Sequence, residues 1–144
     1  MPVAKPKVQF FFEVPANLKQ RTQLKFFINK LFKLEGRTLG SLNYIFTTDK
    51  KLLSFNKKYL NHEYYTDILT FDLSDGSQIK GEIYISIDRV RANAFSLQVS
   101  FKNELLRVVL HGALHLCGYK DKTPTQERKI RMREDHYLNM FHVK

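Results

Sequence analysis

The run from Glu104 to Cys117 is apolar on nearly every side of a helix, and no other stretch limits the fold as strongly. A helix with no polar face has to lie in the centre of a domain, with other elements wrapped round it. Two of its residues, His111 and His115, are polar and four apart. One helical turn takes about 3.6 residues, so both imidazoles lie on one face and can reach one metal ion. Their ring nitrogens would be left unpaired in so apolar a setting unless a metal or a hydrogen-bond partner met them.

Gly118 follows His115 by three residues. Its freedom to take φ > 0 lets the helix end there and the chain turn back, bringing Asp121 to the histidines. His111, His115 and Asp121 then form a three-ligand set with open coordination positions, the arrangement of hydrolytic metal sites. His136, on a later helix, is the rival third ligand. One divalent ion is expected, zinc first, although two histidines and a carboxylate also suit iron and other divalent metals.

The elements around this helix can be read from period and punctuation. Val8–Phe12, between Pro6 and Pro15, reads as a strand. Asn17 with Gln20 is an N-cap pattern for a helix carrying Leu24, Phe27, Ile28, Leu31, Phe32 and Leu34, which Gly36 stops. Leu39–Thr47 alternates as a second strand, and strand–helix–strand order favours a parallel pair. A short helix over Asp49–Lys58, capped by Thr48 or Asp49, turns Leu52, Phe55 and Tyr59 inward. A polar loop, Leu60–Tyr65, contains His62. Strands over Thr66–Leu73 and Ile79–Ile87 flank the turn residues Ser74-Asp75-Gly76-Ser77 and form an antiparallel hairpin. Asp88 caps a further helix to about Ser96. Thr123-Pro124-Thr125-Gln126 is a capping box with proline at the first helical position, opening a last helix to about His142 with Ile130, Tyr137, Leu138 and Phe141 on its inner stripe.

The expected fold is α+β: one domain over residues 1–144, with a flexible 1–7, and a mixed, mostly four-stranded sheet packed with about five helices around the metal-binding one. A chain of 144 residues with 43% hydrophobic residues can bury such a core without disulfides. Its one cysteine, Cys117, suits a reducing cytoplasm, and no apolar run is long enough to span a membrane. Lys and Arg exceed Asp and Glu by 24 to 14, which favours a polyanionic partner.

The frame His-x-x-x-His-x-x-Gly-x-x-Asp is shared with a large class of zinc peptidases, but those carry Glu directly after the first histidine as general base. Here that residue is Gly112, so the peptidase mechanism lacks its proton acceptor.

Residues 104 to 121 instead resemble the YbeY family of bacterial endoribonucleases, whose signature is a Glu on the approach helix followed by His-Gly-x-Leu-His-Leu-x-Gly-Tyr-Asp-His. The resemblance extends over roughly residues 55 to 136: Leu60-Asn61, Thr66-Asp67-Ile68-Leu69-Thr70-Phe71 and Gly81-Glu82-Ile83 look like the family's Leu-Asn, Thr-Asp-Val-Leu-Ser-Phe and Gly-Asp-Ile segments. It implies a metal-dependent single-strand endoribonuclease that matures the 3′ end of small-subunit ribosomal RNA and serves ribosome quality control. Its partners would be ribosomal RNA or pre-ribosomal particles in the cytoplasm, with neither membrane nor DNA.

Two departures bear on mechanism. Asp121 stands where most of the family has the third histidine, and Lys120 where it has Asp. The loop after Leu60-Asn61 is shorter than the family's and lacks its arginine, so Lys57, Lys58, Lys120 and Lys122 are the candidates for RNA phosphate contact. The competing readings are a non-catalytic RNA-binding ribosome-assembly factor in which a structural metal holds the turn, and another metal-dependent hydrolase.

Overall fold

A computed structural model describes residues 7–60 and 66–142, the side chain of Leu60 excepted. The loop carrying His62 lies outside the described residues, as does the N-terminal segment before Lys7.

The chain runs β1 (Val8–Phe12), α1 (Arg21–Leu34), β2 (Leu39–Thr47), α2 (Asp49–Phe55), a π-helical turn (Asn56–Leu60), β3 (Ile68–Asp72), β4 (Ile79–Ser86), α3 (Ile87–Leu97), α4 (Phe101–Leu116) and α5 (Pro124–His142). The four strands form one mixed sheet in the order β1-β2-β4-β3. β1 is parallel to β2, β2 is parallel to β4, and β3 returns antiparallel to β4. The parallel pair and the hairpin are those expected from the sequence. β4, the later strand of the hairpin, takes the place beside β2, and its buried Ile83 and Ile85 pair with Tyr44 and Phe46.

Leu42, Tyr44, Phe46, Ile83 and Ile85 line one buried face with α4 packed in the same core. Two missing side chains let that helix lie close. A Cβ on Gly81 would come within 2.7 Å of Leu116 Cδ1, and one on Gly112 within 2.8 Å of Ile83 Cδ1. The position that carries a catalytic glutamate in the zinc peptidases is here pressed against the sheet, so a carboxylate could enter it only by displacing core. Tyr44, fully buried, donates from its hydroxyl to the Val109 carbonyl across 2.8 Å, which ties β2 to the middle of α4.

Several local expectations give way to packing. The Asn17 cap does not form: α1 starts at Arg21 after Gln20 in a left-handed conformation with no side-chain cap, because burying Leu18 in the core sets the path of the preceding turn. Leu34 is exposed at the end of that helix. Thr48 caps α2, accepting from Lys51 N, but the helix widens into the π turn, which turns Asn56 inward and leaves Tyr59 exposed. Ser86 rather than Asp88 caps α3, while Asp88 accepts from the Asp49 amide. The hairpin strand starts at Ile68, two residues later than the sequence suggests. The capping box at Thr123 forms in both directions, with Thr123 Oγ1 accepting from Gln126 N and Gln126 Oε1 from Thr123 N.

Candidate metal centre

α4 ends as the sequence predicts. Gly118 adopts φ 108°, its amide donates to His115 O, and the Tyr119 amide donates to Leu114 O. This paired closure needs a left-handed residue after the cap. Arg37 donates to the Cys117 carbonyl at 2.9 Å, fixing the end of the helix from the β2 side. The turn delivers Asp121 to the histidines.

His111 Nε2 and His115 Nε2 lie 2.8 Å apart, and Asp121 Oδ2 is 3.2 Å from each. These separations are near the roughly 3.3 Å edge of a tetrahedron built on bonds of about 2.0–2.1 Å. The opposite ring nitrogens are held by acceptors: His115 Nδ1 by the Tyr119 carbonyl at 2.9 Å, and His111 Nδ1 by Glu134 Oε2 at 2.5 Å. Each acceptor keeps the proton on Nδ1 and turns the Nε2 lone pair inward. Two lone pairs and a carboxylate oxygen then face one point, and such a donor set fits a divalent cation. The rings are 20% and 23% exposed and Asp121 41%, so the site opens to solvent on one side. The histidines, read from the sequence as lying in an apolar stretch, are thus only partly buried.

His136 is not brought to this site. It is exposed on the outer side of α5, with its ring edge-on to Tyr137. The residue α5 sends inward is Glu134, only 4% exposed. It also accepts from Arg107 Nη1 at 2.9 Å, and Arg107 Nη2 reaches Asp135 at 2.6 Å. Sequence reasoning missed Glu134, yet a signal was present, because it occupies the buried stripe of Ile130, Tyr137 and Leu138 at helical spacing. Burial opposes the charged form of His111, but the bond and charge of Glu134, with the charges of Asp121 and Asp67, outweigh it and raise its pKa. Asp67, also missed, is raised above the ordinary carboxylate value by burial, against the opposing charge of His111.

Two clefts meet at the centre and share Asp67, His111 and Asp121. One, of about 400 Å3, runs between α4 and α5 past Arg107 and Arg131. The other, of about 500 Å3, follows β3 and includes Lys122. Of the four candidate lysines, Lys122 alone lines a cleft containing the histidines. Lys120 lines a separate hollow with Glu35 and Arg37, and Lys57 and Lys58 are on the exposed π turn.

Glu35 supports the turn from behind. It accepts from the Tyr119 hydroxyl at 2.7 Å, from Arg133 at 2.8 Å and from the Tyr137 hydroxyl. Burial would raise its pKa, but the bonds from Tyr137, Arg133 and Tyr119 together win and lower it. A carboxyl held below its unfolded value stabilises the fold above that value and loses the contribution as pH falls through the lowered one. Glu35→Gln is therefore expected to cost about 1–3 kcal/mol at pH 7, a difference that shrinks once the pH drops below the ordinary carboxylate value of 4.5. Denaturant unfolding of both proteins at neutral and acid pH measures it, and a pH-independent difference would contradict the assignment.

Comparison with known proteins supplies relatives of the whole chain. Residues 12–142 match the family model described as "Endoribonuclease YbeY". A protein of that name from Flavobacterium psychrophilum is 44% identical over 137 residues, spanning 95% of this chain and 98% of the relative. Another from Cytophaga hutchinsonii is 44% identical over 139 residues, with 94% and 97% covered. The solution structure of a Thermotoga maritima protein superposes with a TM-score of 0.61 at 27% identity, covering 93% of this chain and 88% of that one.

Proposed function

The chain belongs to the YbeY family of endoribonucleases, and from that premise we propose that it cleaves single-stranded ribosomal RNA at a divalent metal held by His111, His115 and Asp121. The observation that carries the site assignment is the convergence of two fixed Nε2 lone pairs and one carboxylate oxygen within 3.2 Å of one another. Zinc is the first choice for a set of this size and donor type. When bound, the metal supplies Lewis-acid polarisation of a phosphoryl oxygen and a nucleophile active at neutral pH.

The rest of the chemistry falls to the chain. Glu134 and the Tyr119 carbonyl hold the two rings in the ligating tautomer. Lys122 and Arg131, at the two clefts, are placed to attract the phosphodiester backbone on either side of the cut. Asp67 lines both clefts with His111 and is our candidate for accepting a proton from the attacking group. The biological substrate we assign is the 3′ end of small-subunit ribosomal RNA within pre-ribosomal particles, which puts the protein in the cytoplasm and in ribosome quality control. A basic chain, net +10, suits that substrate, and no helix among the described residues is long and apolar enough to cross a membrane.

Metal removal tests the proposal. Chelation that strips the protein, verified by elemental analysis, is expected to stop cleavage of a labelled single-stranded ribosomal RNA fragment. One equivalent of zinc should restore it. Unchanged cleavage by metal-free protein would overturn the assignment. A 2′,3′-cyclic phosphate on the product would identify the RNA 2′-hydroxyl, rather than water, as the nucleophile.

A further inference from the structure

Glu104 sits in the first turn of α4 and is only 7% exposed. It precedes His111 by seven residues on the same stripe of the helix, about 10 Å along the axis at 1.5 Å per residue. Its carboxylate lines the cleft between α4 and α5. No described residue gives it a hydrogen bond or an ion pair. Arg107, the cation one turn on, is engaged by Glu134 and Asp135. Burial and the charge of Asp67 work against its ionised form and outweigh the charges of Arg107 and Arg131, which favour it.

A carboxylate on a residue this buried has no protein donor to offset the hydration it loses, so the fold by itself gives no reason for an acid at this position. The metal centre gives none either, because among the described residues His111, His115 and Asp121 alone form a group of ligating atoms within 4.8 Å of one another. The cleft itself points to a different ligand. Leu97, Val108 and Ile130 provide apolar wall, while Asp67 and Glu104 provide acceptors. An acceptor meets a donor, so the group seated against Glu104 carries an N–H or O–H, while Arg131 on the same cleft serves the backbone phosphate. A volume of about 400 Å3 is within the range of small-ligand sites and is enough for one nucleoside.

We infer that Glu104 is the acceptor of a nucleoside subsite: its carboxylate takes a hydrogen bond from an uncharged N–H or O–H donor on the nucleotide flanking the scissile phosphate, seating that sugar and base between α4 and α5. The inference rests on the RNA-cleaving reading of the metal centre. The donor is the ribose 2′-hydroxyl or an amino or imino group of the base. In either case the subsite selects a neighbouring nucleotide, while the metal acts on the phosphate.

The test is a coupling measurement on the full-length, zinc-loaded protein. Short RNAs with one cleavage site carry a single 2′-deoxy substitution or a single base exchange at each flanking nucleotide, and kcat/KM is measured for wild type and Glu104→Gln. Wild type is expected to lose about 10- to 100-fold on one of these changes, the worth of a hydrogen bond to a charged group. Glu104→Gln should lose a similar factor on the parent RNA and be indifferent to that same change. A deoxy position identifies the ribose as donor, and a base exchange identifies the base.

Metal content should stay at the wild-type level and the melting temperature at or above it, since the substitution removes an unpartnered charge. A merely structural role would lower the melting temperature instead. Equal kcat/KM for both proteins across the panel overturns the inference, as does a uniform loss without coupling. If wild type cleaves none of these RNAs, the metal-centre reading fails, and the same panel is read by equilibrium binding. Coupling in Kd then keeps the subsite, and its absence removes it.

Discussion

Asp121→Ala is expected to lose metal-dependent RNA cleavage by at least about 100-fold while leaving the fold intact. In the proposed site Asp121 supplies one of three donors, its Oδ2 lying 3.2 Å from both Nε2 atoms. Two histidines alone leave an incomplete set, so metal affinity should fall together with activity. Stability should hardly change. The side chain is 41% exposed and sits in a turn closed by Gly118 and by the Thr123 capping box, neither of which uses it. Removing an exposed side chain from such a place costs at most about 0.5 kcal/mol in the metal-free protein. Metal titration, cleavage kinetics and denaturant unfolding separate the three effects. Full metal occupancy with undiminished cleavage in Asp121→Ala would sink the ligand assignment. Asp121→His should retain metal, with a more positive site because a neutral donor replaces a charged one.

Glu134→Ala is expected to act on both properties. The carboxylate is 4% exposed and bonds His111 Nδ1 on one oxygen and Arg107 on the other. Deleting one member of a buried pair leaves the other charge uncompensated, at a cost of about 3–5 kcal/mol. Arg107 keeps Asp135 as a second partner, which favours the low end. The same deletion frees the His111 ring to rotate and to change tautomer, and loss of such an orienting partner lowers metal affinity by about 10- to 100-fold. Glu134→Gln retains the volume and one acceptor and should fall between. If Glu134→Ala bound metal at wild-type affinity, its orienting role would be excluded whatever happened to stability. The contrast with Asp121→Ala is diagnostic, because a ligand at the open mouth affects function alone, whereas an acid shared by two helices affects function and fold.

How much of this could be read in advance depended on the range of the forces involved. The spacing of His111 and His115, the helix end at Gly118, and the Thr123 box with Pro124 are governed by backbone geometry and hydrogen bonds within a few residues, and each is found as expected. Local signals failed where burial elsewhere outranked them. Leu18 drew the chain away from an Asn17 cap, and the π turn at Asn56 shifted which side chain faces in, leaving Tyr59 outside. The lysines could be counted but not placed: Lys120 and Lys122 are two apart, yet they line different hollows.

The sequence by itself determined the metal-ligand candidates and the central position of their helix, because one turn of helix and one glycine-ended corner bring His111, His115 and Asp121 together without help from the rest of the chain. Only the tertiary structure decided what surrounds them. Glu134 reaches His111 because α5 buries its apolar stripe against the domain core. Asp67 comes from the residue just before β3, far back in the chain, and Glu104 faces an open cleft instead of packed core. Those meetings depend on which surfaces pack across tens of residues, and no local period encodes that.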